Sequence, residues 1–173
     1  MPQAKAAAKK ALERDETLPE AHNSLGMVLA LYDFDFTQSK KEFARAIELN
    51  PKNASYYAAL AQLLRKESDD KTDEAILNLQ KALALDPSDA LSKQELALCY
   101  EKKRNYAQAE QLLEEVVRQA PDLVSAHVAL SRIYYRQHKK DEGDREKKIV
   151  ARLEGQQQTE QSQTYKTSPS PVQ

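Results

Sequence analysis

Residues 75–100 read AILNLQKALALDPSDALSKQELALCY. Ala75, Leu79 and Ala82 are spaced four and then three apart, which places them on one stripe of a helix. Asp86-Pro87 ends that helix, because proline has no amide hydrogen and biases the residue before it away from helical angles. A second amphipathic run opens a few residues later and carries Leu96-Ala97, with Tyr100 four positions after Leu96. The stretch therefore predicts a helix, a proline-bounded break and a second helix, each with one apolar face.

The same grammar recurs on both sides. Ser39, Phe43 and Ala46 precede Pro51; Ala109, Leu113 and Val116 precede Pro121; Ala4, Ala8 and Ala11 precede Asp15-Glu16. The leading helices carry Leu25-Gly26, Leu60-Ala61, Leu96-Ala97 and Leu130-Ser131. Between Glu16, Pro51, Pro87, Pro121 and Gly155, the closing positions of the units, the spacings are 35, 36, 34 and 34 residues. A helical period near 34 marks a stacked repeat array. The longer spacings belong to longer turns, at Asp33 to Thr37 and Ser68 to Lys71, against Arg104-Asn105 and His138 to Lys140 later on.

This small-large signature resembles the tetratricopeptide repeat family, over roughly residues 3 to 154. The family's tryptophan-like position is occupied by His22, Tyr57, Lys93 and His127, and Lys93 predicts a locally thinner core. The run Tyr32-Asp33-Phe34-Asp35-Phe36 is similar to an aromatic-acid-aromatic turn of bacterial members. The resemblance implies an all-α fold, a right-handed α-solenoid of antiparallel helix pairs. Residues 1–16 read as a half repeat, helix B only. Residues 17–154 read as four pairs, the last, with Ile149, Val150 and Leu153 on one side, serving as C-terminal cap. Residues 155–173 lack apolar periodicity and are expected to be a disordered tail. The chain opens in mid-repeat, so its first helix is either a capping start or the continuation of a longer array; its open N-terminal edge is expected to dock an upstream helix or to self-associate.

Composition narrows the function. With 3 glycines, 7 prolines, no tryptophan and 31% charged residues in 173, the chain reads as a helical solenoid, not a sheet protein. Its net charge of −1 comes from interspersed signs, with no basic stripe interleaved with aromatics, so nucleic acid is not expected as a partner. No apolar stretch is long enough for membrane insertion and residues 1–10 do not read as a signal peptide, so cytoplasmic location is the default expectation. Cys99 is the single cysteine and is expected to be a packed, inert thiol.

Catalysis is not expected, nor a cofactor or metal. Gly26, Gly143 and Gly155 are scattered and form no phosphate cradle, while His22 and His127 stand three repeats apart. What remains is recognition of a protein or peptide partner in the concave groove lined by the A helices, as the resemblance implies. By place in the repeat, the inward positions are Asn23 and Met27; Ser55, Ala59 and Gln62; Leu91, Gln94, Glu95 and Leu98; Ser125, Ala129 and Arg132. The alternative is a structural spacer or dimerisation segment, a C-terminal fragment of a larger multidomain protein.

One subclass of the family clamps a C-terminal carboxylate with lysine, asparagine and arginine at set places on three A helices. Those places hold Asn23, Met27, Ala59, Leu91 and Glu95 in one register, and Ala58, Gln62, Glu95, Ser125 and Ala129 in the next. Neither supplies a cation, which disfavours a chaperone-tail adaptor.

Overall fold

The computed structural model describes residues 2–167 of the chain, with side chains from residue 3 to residue 159. Nine α-helices follow one another among the described residues, without a strand: α1 (Pro2–Arg14), α2 (Pro19–Val28), α3 (Phe36–Leu49), α4 (Ala54–Glu67), α5 (Thr72–Leu85), α6 (Ala90–Lys102), α7 (Tyr106–Gln119), α8 (Val124–Arg136) and α9 (Lys140–Thr167). The pairs α2·α3, α4·α5, α6·α7 and α8·α9 pack most extensively, and each pair stacks on the next to give a right-handed α-solenoid.

Local chemistry sets the boundaries. Asp35, Asn53 and Asp89 cap their helices by accepting the backbone N–H of Gln38, Ser55 and Leu91 at 3.0, 3.0 and 3.1 Å. Arg104 and His138 take left-handed φ values of 58° and 62° after α6 and α8. The N–H groups of Asn105 and Lys139 then reach back to the carbonyls of Tyr100 and Tyr134 at 2.8 and 2.9 Å, closing each helix end. The two longer turns solve the same problem differently. After α2 the chain forms one wide π turn over Leu29–Asp33 before Phe34 turns left-handed at φ 53°, whereas after α4 a 3₁₀ turn, Asp69–Lys71, takes up the extra residues.

The stripe residues of the B helices are the core. Phe43, Leu79 and Leu113 are at most 2% exposed, as are the small residues beside them, including Ser39, Ala75 and Ala109. One cluster joins Ala30, Phe43, Leu60, Leu64, Leu79, Leu96 and Cys99, and a second joins Ala97, Leu113, Leu130 and Ile133. The first helix is held more lightly: Ala4 is exposed, and Ala8 with Leu12 meets Leu25 and Leu29.

Two expectations are corrected. Lys93 does not thin the core; its stem is buried and its Nζ sits 3.0 Å from Glu115 Oε2, so an ion pair with a packed aliphatic stem fills the place of an aromatic ring. The tail expected from residue 155 is helical as far as Thr167. Gly155 in a helix interior costs about 1 kcal/mol but does not end it, and the hydroxyl of Thr159 bonds the Gly155 carbonyl at 2.9 Å. No proline stands between Gly155 and Thr167 to interrupt the helix. Residues 168–173 of the expected tail lie outside the described residues.

Candidate functional site

The A helices α2, α4, α6 and α8 each touch the next, while successive B helices have no comparable contact. The stack therefore bends with the A helices on its inner, concave side. Polar bonds tie this wall together. Arg65 Nε on α4 donates to Glu95 Oε2 on α6 at 2.7 Å, and Arg132 on α8 donates through Nε and Nη2 to Glu101 on α6 at 2.5 and 2.6 Å. Those bonds raise the pKa of Arg132 further. Ser125 Oγ donates to Gln94 Oε1 at 3.1 Å.

Most of the residues expected to face inward are accessible there, but they are not alike. Met27 and Leu91 are 45% and 61% exposed, and Ser55, Gln62 and Ser125 are exposed as well. Leu98 and Ala59 are half-buried against the core clusters. Gln94, Glu95 and Arg132 have partners within the wall, so part of its polar surface already holds the helices together. Asn23 is half-buried; its Nδ2 points at Met27 Sδ, 3.8 Å away, and its Oδ1 is buried without a hydrogen-bond partner. Ala129 is corrected: at 3% exposure it lies in the core with Leu130 and Ile133 and is not part of the surface.

Between α2 and α4 the wall opens into a small cleft of about 50 Å³, floored by Ala30, Phe43 and Leu63 and flanked by Met27, Leu31, Gln62 and Lys66. Leu31, 44% exposed, and Lys66 were absent from the sequence reading. A positional signal existed: Leu31 follows Met27 by four, as Lys66 follows Gln62, Lys102 follows Leu98 and Arg136 follows Arg132. One more helical turn along each A helix thus adds an apolar residue in the first repeat and a cation in the other three.

Away from the wall, His22, His127 and Tyr57 make structural contacts. Nδ1 of His22 lies 2.7 Å from Glu42 Oε2 and its Nε2 lies 2.9 Å from the carbonyl of Glu16. His127 repeats this with Glu146 and Pro121 at 2.6 and 3.0 Å, and Tyr57 reaches the Pro51 carbonyl at 3.2 Å. Each side chain ties helix A to the loop that leads into it. Burial pushes the Cys99 thiol up to about 11. Among the described residues no group of three or more His, Cys, Asp or Glu is placed to hold a metal ion, and no helix is long and apolar enough to cross a membrane.

A tetratricopeptide repeat family model matches residues 29–90, and a second one matches residues 68–133. The formate-dependent nitrite reductase complex subunit NrfG of Escherichia coli O157:H7 is 34% identical over 88 residues, 50% of this chain and 44% of that subunit. The chain thus matches less than half the length of this curated relative. Among solved structures, PilF of Pseudomonas aeruginosa superposes with a TM-score of 0.80 at 21% identity, covering 88% of this chain and 68% of that one. MamA from Desulfovibrio magneticus RS-1 gives 0.79 at 20% identity, with 90% and 86% covered. YrrB, described as a protein of this repeat type with an unusual peptide-binding site, gives 0.71 at 20% identity, with 88% and 77% covered. At these identities the structural likeness is one of fold.

Proposed function

The chain belongs to the tetratricopeptide repeat family, whose members bind protein partners, and from that premise we propose that its concave wall holds an extended or helical segment of a partner protein. The fold is generally a non-catalytic scaffold, and this reading requires no cofactor. The observation that carries it is the α2–α4 cleft. Met27 and Leu31 stand exposed on the inner face beside the amide of Gln62, an arrangement that suits an apolar side chain inserted while the amide bonds the ligand backbone. Methionine adapts its shape to such a side chain. The peptide-binding site described for YrrB supports a peptide as the ligand class.

The test is a photo-crosslinking residue placed at Met27 or Gln62, with the captured segment identified by mass spectrometry. One partner segment should be captured at both positions, and Gln62→Glu with Gln94→Glu should weaken capture with helicity and melting temperature nearly unchanged. Equal capture by that double variant would move recognition away from the wall. The description of NrfG as a subunit of a complex favours a second reading, in which the array spaces or joins components of an assembly. Loss of assembly on substitution of the convex face alone would select it.

A further inference from the structure

A groove of about 610 Å³ lies at the C-terminal edge of the stack, between α8 and α9. Val128, Tyr135 and Val150 form its apolar part, and Arg132, Arg136 and Lys147 surround them; among the described residues no carboxylate lines it, the nearby Asp144 being bonded by the Tyr135 hydroxyl. In the earlier layers the equivalent surface is closed. There α4 packs on α2 and α3, α6 on α4 and α5, and α8 on α6 and α7. The B-helix residues under those covering helices, Phe43, Leu79 and Leu113, are at most 2% exposed. In α9 the same repeat position is Lys147, exposed, with its ammonium 5.3 Å above the Tyr135 ring. Val150, in the place of the buried Ala46, Ala82 and Val116, is only half-buried, and Val128 is 43% exposed. The helix α9 runs past the groove to Thr167, so among the described residues no segment lies over it.

We propose that this edge binds an acidic amphipathic helix of a protein partner, seated as the next A-type helix of the stack. Continuity with the existing interfaces sets the geometry, because each A helix already lies on the A and B helices before it. Charge selects the partner. Within the stack, neighbouring A helices are joined by arginine–glutamate pairs, Arg65 with Glu95 and Glu101 with Arg132. At the edge the rim residues Arg136 and Lys147 are cations, so the incoming helix supplies the acids. Lysine in the slot of a buried leucine keeps the uncovered edge wet, and its stem can still lie along an apolar partner. A second copy offering its α1 fits less well, since that helix exposes Lys9, Lys10 and Arg14.

The probe is a synthetic helical peptide with leucines along one face and glutamates flanking them, titrated against the full chain by fluorescence anisotropy. A second peptide with lysines replacing the glutamates serves as control. The acidic peptide should bind, weaken as salt is raised, and lose at least about tenfold in affinity with Arg136→Glu and Lys147→Glu combined. Val150→Glu should abolish binding, whereas Gln62→Glu with Gln94→Glu should leave it unchanged, which separates this site from the α2–α4 cleft. Equal binding of the acidic and lysine peptides, or indifference to the edge substitutions, overturns the proposal. So does a concentration-dependent dimer of the chain alone, dispersed by Val150→Glu in sedimentation, which would assign the edge to a second copy.

Discussion

The hydroxyl of Ser39 on α3 donates to the carbonyl oxygen of Gly26 on α2 at 2.7 Å, inside the first helix pair. The last pair carries the same bond with its ends exchanged: Ser131 on α8 donates to Gly143 on α9 at 2.9 Å. In the two middle pairs these facing positions are alanines, Ala61 with Ala75 and Ala97 with Ala109. Close approach of helices A and B is common to all four layers, achieved by glycine and serine at the ends and by alanine pairs in the middle.

Alanine should be tolerated unequally at the two glycines. A Cβ on Gly26 would meet the Phe43 ring at 2.9 Å, and Phe43 is 2% exposed and locked in the core. A Cβ on Gly143 would meet the Tyr135 ring at 3.0 Å, but that ring is half-buried at the open edge and can move aside. Overpacking costs about 1–3 kcal/mol and alanine returns up to about 1 kcal/mol of helix propensity. In urea unfolding Gly26→Ala should be clearly destabilising and Gly143→Ala nearly neutral; equal losses would mean that the edge is as rigid as the core.

Leu113→Ala should cost about 2–5 kcal/mol, since the side chain is 1% exposed and its neighbours come from three helices, leaving a cavity that no single side chain can refill. A loss of a few tenths in the same urea titration would place Leu113 outside the core.

Cys99 is fully buried, and its thiol is pushed by that burial from an ordinary 9.0 to about 11. An aromatic disulfide reagent should therefore react with native protein far more slowly than with urea-unfolded protein. The protonated form is the one the fold favours, so this contribution to stability is complete below pH 9.0 and is lost as pH rises through about 11. Cys99→Ala should flatten the stability profile across that window. A residual slope above pH 10.0 is expected from Tyr134, which burial and its bond to Glu114 raise in the same direction. An unchanged profile in the variant would show that the thiol carries none of the dependence.

Amide exchange should rank the helices by the neighbours they have. Among α1 to α8, α1 should exchange fastest, because Ala8 and Leu12 are its main apolar anchors. The part of α9 beyond Leu153, the last buried residue of that helix among those with described side chains, should exchange faster still. Protection there equal to that of α6 and α7 would mean that something covers it.

The fold was legible where one residue decides one thing. Asn50-Pro51 and Asp86-Pro87 stop a helix whatever surrounds them, and the stripe Ala75, Leu79, Ala82 is buried because a helix can present it in only one direction. The wall was less legible, because inward placement and accessibility are different properties. Ala129 and Ala59 hold equivalent places in their repeats, yet one is sealed in the core while the other is half-buried. Glu95 and Arg132 read as ligand contacts from their places alone, and the partners that occupy them, Arg65 and Glu101, stand about 30 residues away. Beyond Gly155 apolar periodicity was the wrong guide, since a polar helix can continue on propensity and backbone bonding without a face to bury.

The arginine–glutamate pairs of the concave wall also make the units non-interchangeable. Helix α6 offers acids to both sides, Glu95 toward Arg65 and Glu101 toward Arg132. If the third repeat were replaced by a copy of the second, the place of Glu95 would hold alanine and that of Glu101 arginine, leaving Arg65 unmatched and setting two guanidinium groups side by side. Shuffling these modules by recombination would thus preserve every proline and every core stripe and still yield a mispaired array. The order of the repeats is encoded in charge as well as in chain connectivity.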